Sequence, residues 1–235
     1  MAVKYNRILL KVSGEALAGE KGTGFSDVTM RSICEGIRDA WKEGAQIGIV
    51  VGGGNFWRGR SSGSMERTCA DKIGMLATVM NALAVSDELR QLGVPTEVMT
   101  SIVMPQVAPV FTRNDAVAAM EAGKVVLFGG GTGNPFFSTD TASALRAVET
   151  GCDVMFKATM VDGVYDKDPK KFADAVRYDE LTFSEVLEKQ LAVMDSTAAT
   201  LCRENNMPVL VFDLAQPENI AKAVRGETVG TLVKE

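Results

Sequence analysis

Short apolar segments alternate with amphipathic segments along the whole chain, and this alternation is the feature that most limits the fold. The apolar segments are three to five residues long, and some, such as 47–51, are apolar at consecutive positions, which is typical of strands buried on both faces. The alternation predicts an α/β fold in which helices cover both faces of a mainly parallel sheet. The predicted strands are residues 8–12, 47–51, 96–100, 125–128, 154–156, 209–212 and 230–233.

Polar capping residues and glycines mark where the predicted helices begin and end. Ser26 or Asp27 is a suitable cap for a helix that carries Ile33 and Ile37 on its apolar face and ends before Gly44. A second helix is predicted over 66–92, and a third begins at a Thr112–Asp115 capping box and stops at Gly123. A fourth begins at Thr139 or Asp140, and two more precede residue 209. The last has Pro217 as its first helical residue.

The 235 residues contain no internal repeat, low-complexity segment or linker rich in proline or serine. A chain of this length can bury a large core without disulfides or metals. We therefore expect a single domain over residues 1–235, with two lobes of one sheet as the alternative.

The chain contains no histidine, which excludes Ser-His-Asp triads, Cys-His dyads, histidine-ligated zinc and imidazole proton shuttles. Any chemistry must use lysine, arginine, carboxylates, hydroxyls, backbone amides or a metal. The 25 basic and 30 acidic residues give a net charge of −5, so we expect no nucleic-acid partner.

The four cysteines are scattered without a C-x-x-C pair, which favours reduced structural thiols over a zinc site or a disulfide framework. The first residues lead almost directly into an apolar strand rather than a signal peptide. No apolar run approaches the roughly 20 residues needed to cross a bilayer. We expect a soluble cytoplasmic protein with no membrane partner.

Three predicted strands end in glycine-rich segments, and ligands of such sheets bind beyond the carboxyl ends of the strands. Lys11 precedes the turn Ser13-Gly14, where an ammonium group and backbone amides suit phosphate; a solvated lysine before a plain turn is the alternative. The segment 52–55, GGGN, allows close backbone approach to a ligand, and Arg58 follows it; a tight turn with a surface arginine is the alternative.

Two later segments also combine polar groups with aromatic rings. In 132–140, hydroxyl and amide side chains lead into a helix N-terminus, a natural anion site, where the two phenylalanines either wall a base or anchor the loop. In 157–169, a lysine ends a strand, and Tyr165 suits stacking on a purine; a plain turn at Asp162-Gly163 is the alternative. Asp140 either caps its helix or orients charged groups, and for Asp195 a capping role is the favoured interpretation.

Three common nucleotide-binding signatures are missing. The chain has no G-x-x-x-x-G-K-[ST] loop, no G-x-G-x-x-G after a strand and no protein-kinase motif set. Several other motifs occur in a fixed order: KVSGEAL at 11–17, GGGN at 52–55 with RG at 58–59, GMLATVMN at 74–81, GTGNPFF at 131–137 with Thr139 and Asp140, and KAT at 157–159 with DGV at 162–164. This set resembles the bacterial uridylate kinases of the amino-acid kinase superfamily, from about Arg7 to the C-terminus.

The resemblance implies a three-layer αβα sandwich with an open, mainly parallel sheet. It also implies transfer of the γ-phosphoryl group of ATP to UMP, giving UDP, in pyrimidine nucleotide synthesis. The catalytic residues that it implies are Lys11, Arg58, Asp140, Lys157 and Asp195. Those implied for ATP are Lys11, Val12, Ser13, Gly14, Gly54, Arg58, Thr159, Tyr165 and Asp168. Those implied for UMP are Gly53, Asp71, Thr132, Gly133, Asn134, Pro135, Phe136, Phe137, Ser138 and Thr139.

Regulation and assembly are also implied by the resemblance. It implies a homohexamer, activation by GTP, inhibition by UTP, and Mg²⁺ bound with ATP. The segment implied for GTP comprises Gly19, Glu20, Lys21, Gly22, Thr23 and Gly24. A kinase of the same superfamily acting on a small carboxylate, carbamate or isopentenyl phosphate, and a non-catalytic nucleotide sensor, are the alternatives.

Overall fold

The computed structural model describes residues 3–57, 63–191 and 193–235. Its main feature is an eight-stranded sheet in the order β3-β4-β2-β1-β5-β9-β10-β8. Of the neighbouring pairs described in this sheet, only β9–β10 is antiparallel. The strands are β1 Arg7–Val12, β2 Gln46–Val51, β3 Thr96–Thr100, β4 Val125–Gly129, β5 Val154–Thr159, β6 Val164–Tyr165, β7 Arg177–Tyr178, β8 Glu180–Leu181, β9 Val209–Asp213 and β10 Gly230–Val233. Strands β6 and β7 form a separate antiparallel ribbon.

Helices lie on both faces of the sheet, which confirms the predicted αβα class with an open, mainly parallel sheet. The helices are α1 Gly14–Ala18, α2 Asp27–Lys42, α3 Arg67–Gln91, α4 Arg113–Glu121, α5 Thr139–Thr150, α6 Phe183–Glu188, α7 Ser196–Glu204 and α8 Glu218–Arg225. No helix in the described ranges is long and apolar enough to cross a membrane.

Two apolar cores lie on opposite faces of the sheet because side chains alternate along each strand. Ile8 and Leu10 of β1 pack into the core that includes residues of α2, α3 and α8. Leu9 packs into the other core, with residues of α4, α5, α6 and α7. The same alternation places Lys11 of β1 and Lys157 of β5 on the α5 side of the sheet.

The order of the strands switches sides at β1: strands β2 to β4 lie on one side of it, and β5 and β8 to β10 lie on the other. Strand β1 pairs with β2 on one side and with β5 on the other. Crevices at such a switch point are where open α/β sheets bind ligands. The cleft is therefore expected beyond the carboxyl ends of β1, β2 and β5.

Most predicted elements are confirmed to within a few residues, and three details are wrong. Thr112 caps α4. The Asp115 carboxylate, however, accepts from the Thr112 hydroxyl at 2.6 Å rather than from the Thr112 backbone N–H, so the reciprocal bond of a capping box is missing. A complete capping box joins Thr182 and Glu185 instead. Pro217 is the N-cap of α8, and the helix begins one residue later. The two-residue strands β6, β7 and β8 were not predicted.

The four cysteines are free thiols, as the sequence predicted. Cys34, Cys152 and Cys202 are buried, and burial raises the pKa of their thiols to about 12, about 11 and about 12, respectively. Cys69, on α3, is exposed. Three of the thiols therefore behave as small core side chains.

Candidate active site at the carboxyl ends of the strands

Two lysines and one aspartate form a charged cluster at the centre of the sheet. Lys11 and Lys157 are direct partners in the β1–β5 register. Asp140, in the first turn of α5, lies between them: its Oδ1 is 2.9 Å from Lys11 Nζ, and its Oδ2 accepts a hydrogen bond from Lys157 Nζ. Strand pairing and one helix therefore fix all three charges relative to one another.

The cluster is largely shielded from solvent, since the side chains of Lys11, Asp140 and Lys157 are 13%, 15% and 12% exposed. Burial opposes ionisation of Asp140, but the two ammonium groups outweigh it and hold the pKa of this carboxyl below its ordinary value. Burial lowers the pKa of Lys157, and the nearby charge of Lys11 acts in the same direction, whereas Asp140 opposes both. One carboxylate thus balances two cations, and the cluster keeps a net positive charge.

Asp195 connects the start of α7 to the start of α5. Its carboxylate accepts from the Ala198 backbone N–H at 3.1 Å, so the predicted capping role is confirmed. The same carboxylate also accepts hydrogen bonds from the Ser138 and Thr141 hydroxyls. Ser138 in turn caps α5 through the Asp140 and Thr141 backbone amides, both at 3.0 Å. Asp195 therefore helps to place the helix that carries Asp140.

The turns that follow β1 and β2 are in direct backbone contact. A Cβ atom on Gly14 would lie 2.1 Å from the Gly52 carbonyl oxygen, and one on Gly53 would lie 2.8 Å from the Gly74 carbonyl oxygen. The Gly52 amide also donates to the Val12 carbonyl at 2.9 Å. Glycine is thus required at positions 14 and 53, because the first turn lies against the second, and the second lies against α3, more closely than side chains would allow.

A pair of buried carboxamides holds the glycine turn from behind, and sequence reasoning did not assign it a role. Asn55 and Asn81 exchange hydrogen bonds at 3.0 and 2.8 Å. Asn81 also donates to the Gly52 carbonyl at 2.6 Å, and Asn55 donates to the Gly24 carbonyl at 2.9 Å. The predicted effector segment, 19–24, is therefore connected to the glycine turn through Asn55.

A pocket lies between α3 and the loop that follows β4. Asp71 is at its wall, with a side chain that is 14% exposed. Asp71 Oδ2 accepts from Arg67 Nε at 2.7 Å and from the Phe136 backbone N–H at 2.8 Å, while no described group hydrogen-bonds Oδ1. The residues that line the pocket are Gly53, Trp57, Asp71, Gly74, Met75, Thr78, Gly131, Thr132, Asn134, Phe137, Ser138 and Thr139.

Several of the residues in the segment 132–139 that were predicted to bind UMP line this pocket. Phe137 lines the pocket and is 51% exposed, which suits a wall for a planar ligand. Phe136 has φ of +73°, which is unusual for a residue other than glycine, and the guanidinium of Arg67 lies 5.4 Å from its ring centroid. Gly133, Pro135 and Phe136 shape the loop between the lining residues.

A second, larger pocket of about 390 Å³ follows β5. Tyr165 and Asp168 line it, and the Tyr165 hydroxyl donates to Asp162 at 2.7 Å. Thr159, at the end of β5, exchanges hydrogen bonds with Val161, which also lines the pocket. Tyr165 and Asp168, predicted for the adenine side, thus lie at one pocket with Thr159 next to it, and Thr159 is two residues after Lys157 on β5.

The remaining predicted residues vary in position. Val12 is buried and Ser13 is the N-cap of α1, while a Cβ atom on Gly54 would lie 2.9 Å from the Glu15 carboxylate. Arg58 lies outside the described residues. Across the described ranges no cluster of three acidic or cysteine side chains is arranged to hold a metal ion.

Comparisons with known proteins agree with this arrangement. A model of the amino acid kinase family matches residues 6–213. The chain is similar to the crystal structure of a UMP kinase from Bacillus anthracis, with 37% identity, a TM-score of 0.95, and coverage of 98% of this chain and 96% of the other. It is also similar to a UMP kinase from Ureaplasma parvum, with 36% identity, a TM-score of 0.93, and coverage of 99% of this chain and 100% of the other. A third similar structure is a uridylate kinase from Archaeoglobus fulgidus, with 29% identity, a TM-score of 0.73, and coverage of 96% of this chain and 99% of the other.

Proposed function

The chain belongs to the amino acid kinase family, and we propose that it transfers the γ-phosphoryl group of ATP to UMP, giving UDP for pyrimidine nucleotide synthesis. The observation that carries this proposal is the buried Lys11–Asp140–Lys157 cluster. Asp140 directly follows Thr139, which lines the first pocket, and the second pocket follows β5, the strand that carries Lys157. An excess of fixed positive charge close to two pockets suits transfer between two phosphates.

The chemistry needs no group that titrates near neutral pH. A phosphate oxygen of UMP, already anionic, forms the new bond to the γ-phosphorus, and the bond from that phosphorus to the β–γ bridging oxygen breaks, leaving ADP. Lys11 and Lys157 stabilise the charge on the transferred group, and Asp140 holds both ammonium groups in place. Asp195 acts on this centre by placing the first turn of α5.

The two pockets divide the nucleotides. We assign UMP to the pocket of Gly53, Asp71 and residues 132–139, where Asp71 Oδ1 is available to accept from the ribose hydroxyls. We assign the adenine and ribose of ATP to the pocket of Tyr165 and Asp168, with Thr159 beside it. The ATP phosphates would lie on the segment 11–14, Gly54 and Arg58.

We propose that Mg²⁺ arrives bound to ATP, as part of the substrate. The side chains of the charged cluster do not fit a protein cage for the ion, because its one carboxylate, Asp140, has a lysine ammonium within ion-pair distance of each oxygen. Mg²⁺ prefers phosphate oxygens and water in such sites.

Assembly, regulation and location are proposed on the resemblance. The chain would form a single domain and a homohexamer in the cytoplasm, and would be activated by GTP and inhibited by UTP. The Asn55 hydrogen bond to Gly24 supports a route from the segment 19–24 to the glycine turn. Binding to nucleic acid or membranes is not expected of an acidic chain of this kind.

An acceptor screen tests the proposed function. The purified protein is incubated with ATP and Mg²⁺ and with UMP, CMP, dUMP, glutamate, carbamate or isopentenyl phosphate, each with and without GTP and UTP. UDP formation in the UMP arm is expected. Turnover of a different acceptor alone, or binding of ATP and UMP without any UDP, would reject the proposal in favour of another kinase or of a nucleotide sensor.

A further inference from the structure

The loop that follows β4 rests directly on one residue of the neighbouring strand end, Ser101. A Cβ atom on Gly133 would lie 3.0 Å from the Ser101 carbonyl oxygen, and one on Gly130 would lie 3.2 Å from the Ser101 amide nitrogen. Both glycines have positive φ, at +80° and +81°. The backbone of the loop therefore lies against Ser101 with no side chain between them.

Ser101 also makes hydrogen bonds to this loop. Its backbone N–H donates to the Gly129 carbonyl at 3.0 Å. Its hydroxyl is 2.9 Å from the Gly131 carbonyl oxygen and 2.7 Å from Arg146 Nη2. Because a guanidinium can only donate and a hydroxyl has one proton, the direction of this chain is fixed: Arg146 donates to Ser101, and Ser101 donates to Gly131.

Arg146 is an unusual residue for its position on α5. Only 5% of its side chain is exposed, and its guanidinium carbon lies 3.9 Å from the ring centroid of Phe111. Its Nη1 pairs with Glu149, and its buried Nε has no partner among the described residues. A buried cation costs desolvation free energy that an apolar side chain at this position would avoid. The hydrogen bond to Ser101 gives this arginine a role that an apolar residue could not fill.

Helix α5 thereby connects the charged cluster to the acceptor pocket. Asp140 lies in its first turn, and Arg146 follows six residues later, about 9 Å along the axis. The first residue holds the two lysines, and the second acts through Ser101 on Gly131, which lines the acceptor pocket. One rigid helix thus sets both sides of the reacting geometry.

We propose that Ser101 and Arg146 are positioning residues for the acceptor nucleotide. Neither residue lines the pocket; together they fix the Gly131 carbonyl and so the backbone of Gly131 and Thr132 at the pocket wall. This inference rests on the proposed assignment of that pocket to UMP. It predicts that loosening the hydrogen bonds from Arg146 to Ser101 and from Ser101 to Gly131 weakens UMP binding and leaves phosphoryl transfer between bound substrates almost unchanged.

The first test is Ser101→Ala, which removes the donor to Gly131. We expect the KM for UMP to rise about three- to tenfold, the range for one lost hydrogen bond, while kcat and the KM for ATP change less than twofold. Ser86→Ala is the matched control, because the Ser86 hydroxyl also accepts from an arginine, Arg90 Nη2, at 2.9 Å, on the far part of α3. An unchanged KM for UMP in Ser101→Ala, or an equal rise in Ser86→Ala, would overturn the proposal.

The second test is a double-mutant cycle with Arg146→Met, or with Arg146→Lys if the methionine variant does not fold. If Arg146 acts through Ser101, the double variant has a KM for UMP no higher than the larger of the two single variants. Fold-changes that multiply would show that Arg146 does not act through Ser101. Glu149→Gln, which alters the other partner of Arg146, should leave the KM for UMP unchanged.

Wild-type UDP formation is measured first in the same assay. Its absence contradicts the proposed function itself. Turnover of UMP by the wild type together with an unaltered KM in Ser101→Ala contradicts only the positioning role.

Discussion

The two sides of the cleft are held in place by different means. The charged cluster consists of three buried side chains on β1, β5 and α5, so its geometry is set by strand register and one helix. Half of the residues that line the acceptor pocket belong to the segment 131–139, in which the Phe136 backbone N–H donates to Asp71 and the Gly131 carbonyl accepts from Ser101. Changes to the first should affect stability and turnover together, whereas changes to the second should affect substrate binding alone. Loops on a rigid sheet can thus alter specificity without disturbing the reacting centre.

The largest effect is expected from Asp140→Asn, which leaves two buried ammonium groups without a carboxylate. We expect a loss of about 3–5 kcal/mol in the free energy of unfolding at pH 7. Because the folded pKa of Asp140 lies below its ordinary value of 3.8, this stabilisation is complete above that pH and is lost as the pH falls through the folded pKa. Urea unfolding of both proteins across this range measures it.

The same variant should also change the pH dependence of turnover. Asp140 raises the pKa of Lys157 against burial and the charge of Lys11, so its removal lowers that pKa further. The alkaline limb of kcat should therefore move to lower pH in whatever activity remains. Asp153→Asn is the control, since Asp153 accepts from backbone amides at the start of β1, away from the cluster. An equal shift in that variant would contradict the explanation.

The next largest effect is expected from Lys157→Ala. Loss of one fixed donor to the transferred group should lower kcat by about 10²–10³-fold, with a much smaller change in the KM for UMP. Steady-state kinetics with both substrates varied measures the two constants. Lys124→Ala, at an exposed ion pair with Glu97, should leave both unchanged. Normal turnover in Lys157→Ala would remove this lysine from the catalytic centre.

Asp71→Asn tests the acceptor side. The substitution removes the negative charge that pairs with Arg67 and that would accept hydrogen bonds from the ribose hydroxyls. The KM for UMP should rise roughly 10–100-fold, with kcat and the KM for ATP nearly constant. Asp87→Asn, on the same helix, changes an exposed carboxylate bonded to Gln91 and serves as the matched control. A rise confined to the KM for ATP would show that the two nucleotide assignments are reversed.

The smallest effect is expected from Tyr165→Ala on the donor side. Loss of a stacking ring should raise the KM for ATP about 2- to 10-fold and leave the KM for UMP unchanged. Tyr165→Phe keeps the ring and loses the hydrogen bond to Asp162, so it should behave like the wild type. Equal effects of the two substitutions would assign the role to the hydroxyl rather than the ring.

The sheet and the charged residues could be predicted because their signals are local. Apolar runs mark the strands, and Lys11 and Lys157 stand at their ends. That β1 pairs with β5, placing the two lysines side by side, depends on contacts between distant segments and has no local signal. The Ser101–Arg146 chain was missed for the same reason, since its members are separated by 45 residues.

The capping errors follow from side-chain length. Aspartate is one methylene shorter than glutamate, and Asp115 takes the Thr112 hydroxyl rather than the backbone amide. Glu185 reaches the Thr182 amide at 3.0 Å, and its T-x-x-E pattern was present in the sequence as a usable signal. The two-residue strands β6–β8 are too short to show any periodicity.

The distribution of the thiols has a practical consequence for labelling the protein. Cys69 is exposed and lies two residues before Asp71 on α3, while the other three cysteines are buried with pKa values raised to about 11 or 12. Reagents that require a thiolate should therefore modify Cys69 alone at neutral pH. A maleimide dye would therefore label the native chain at one position on α3, without an engineered cysteine.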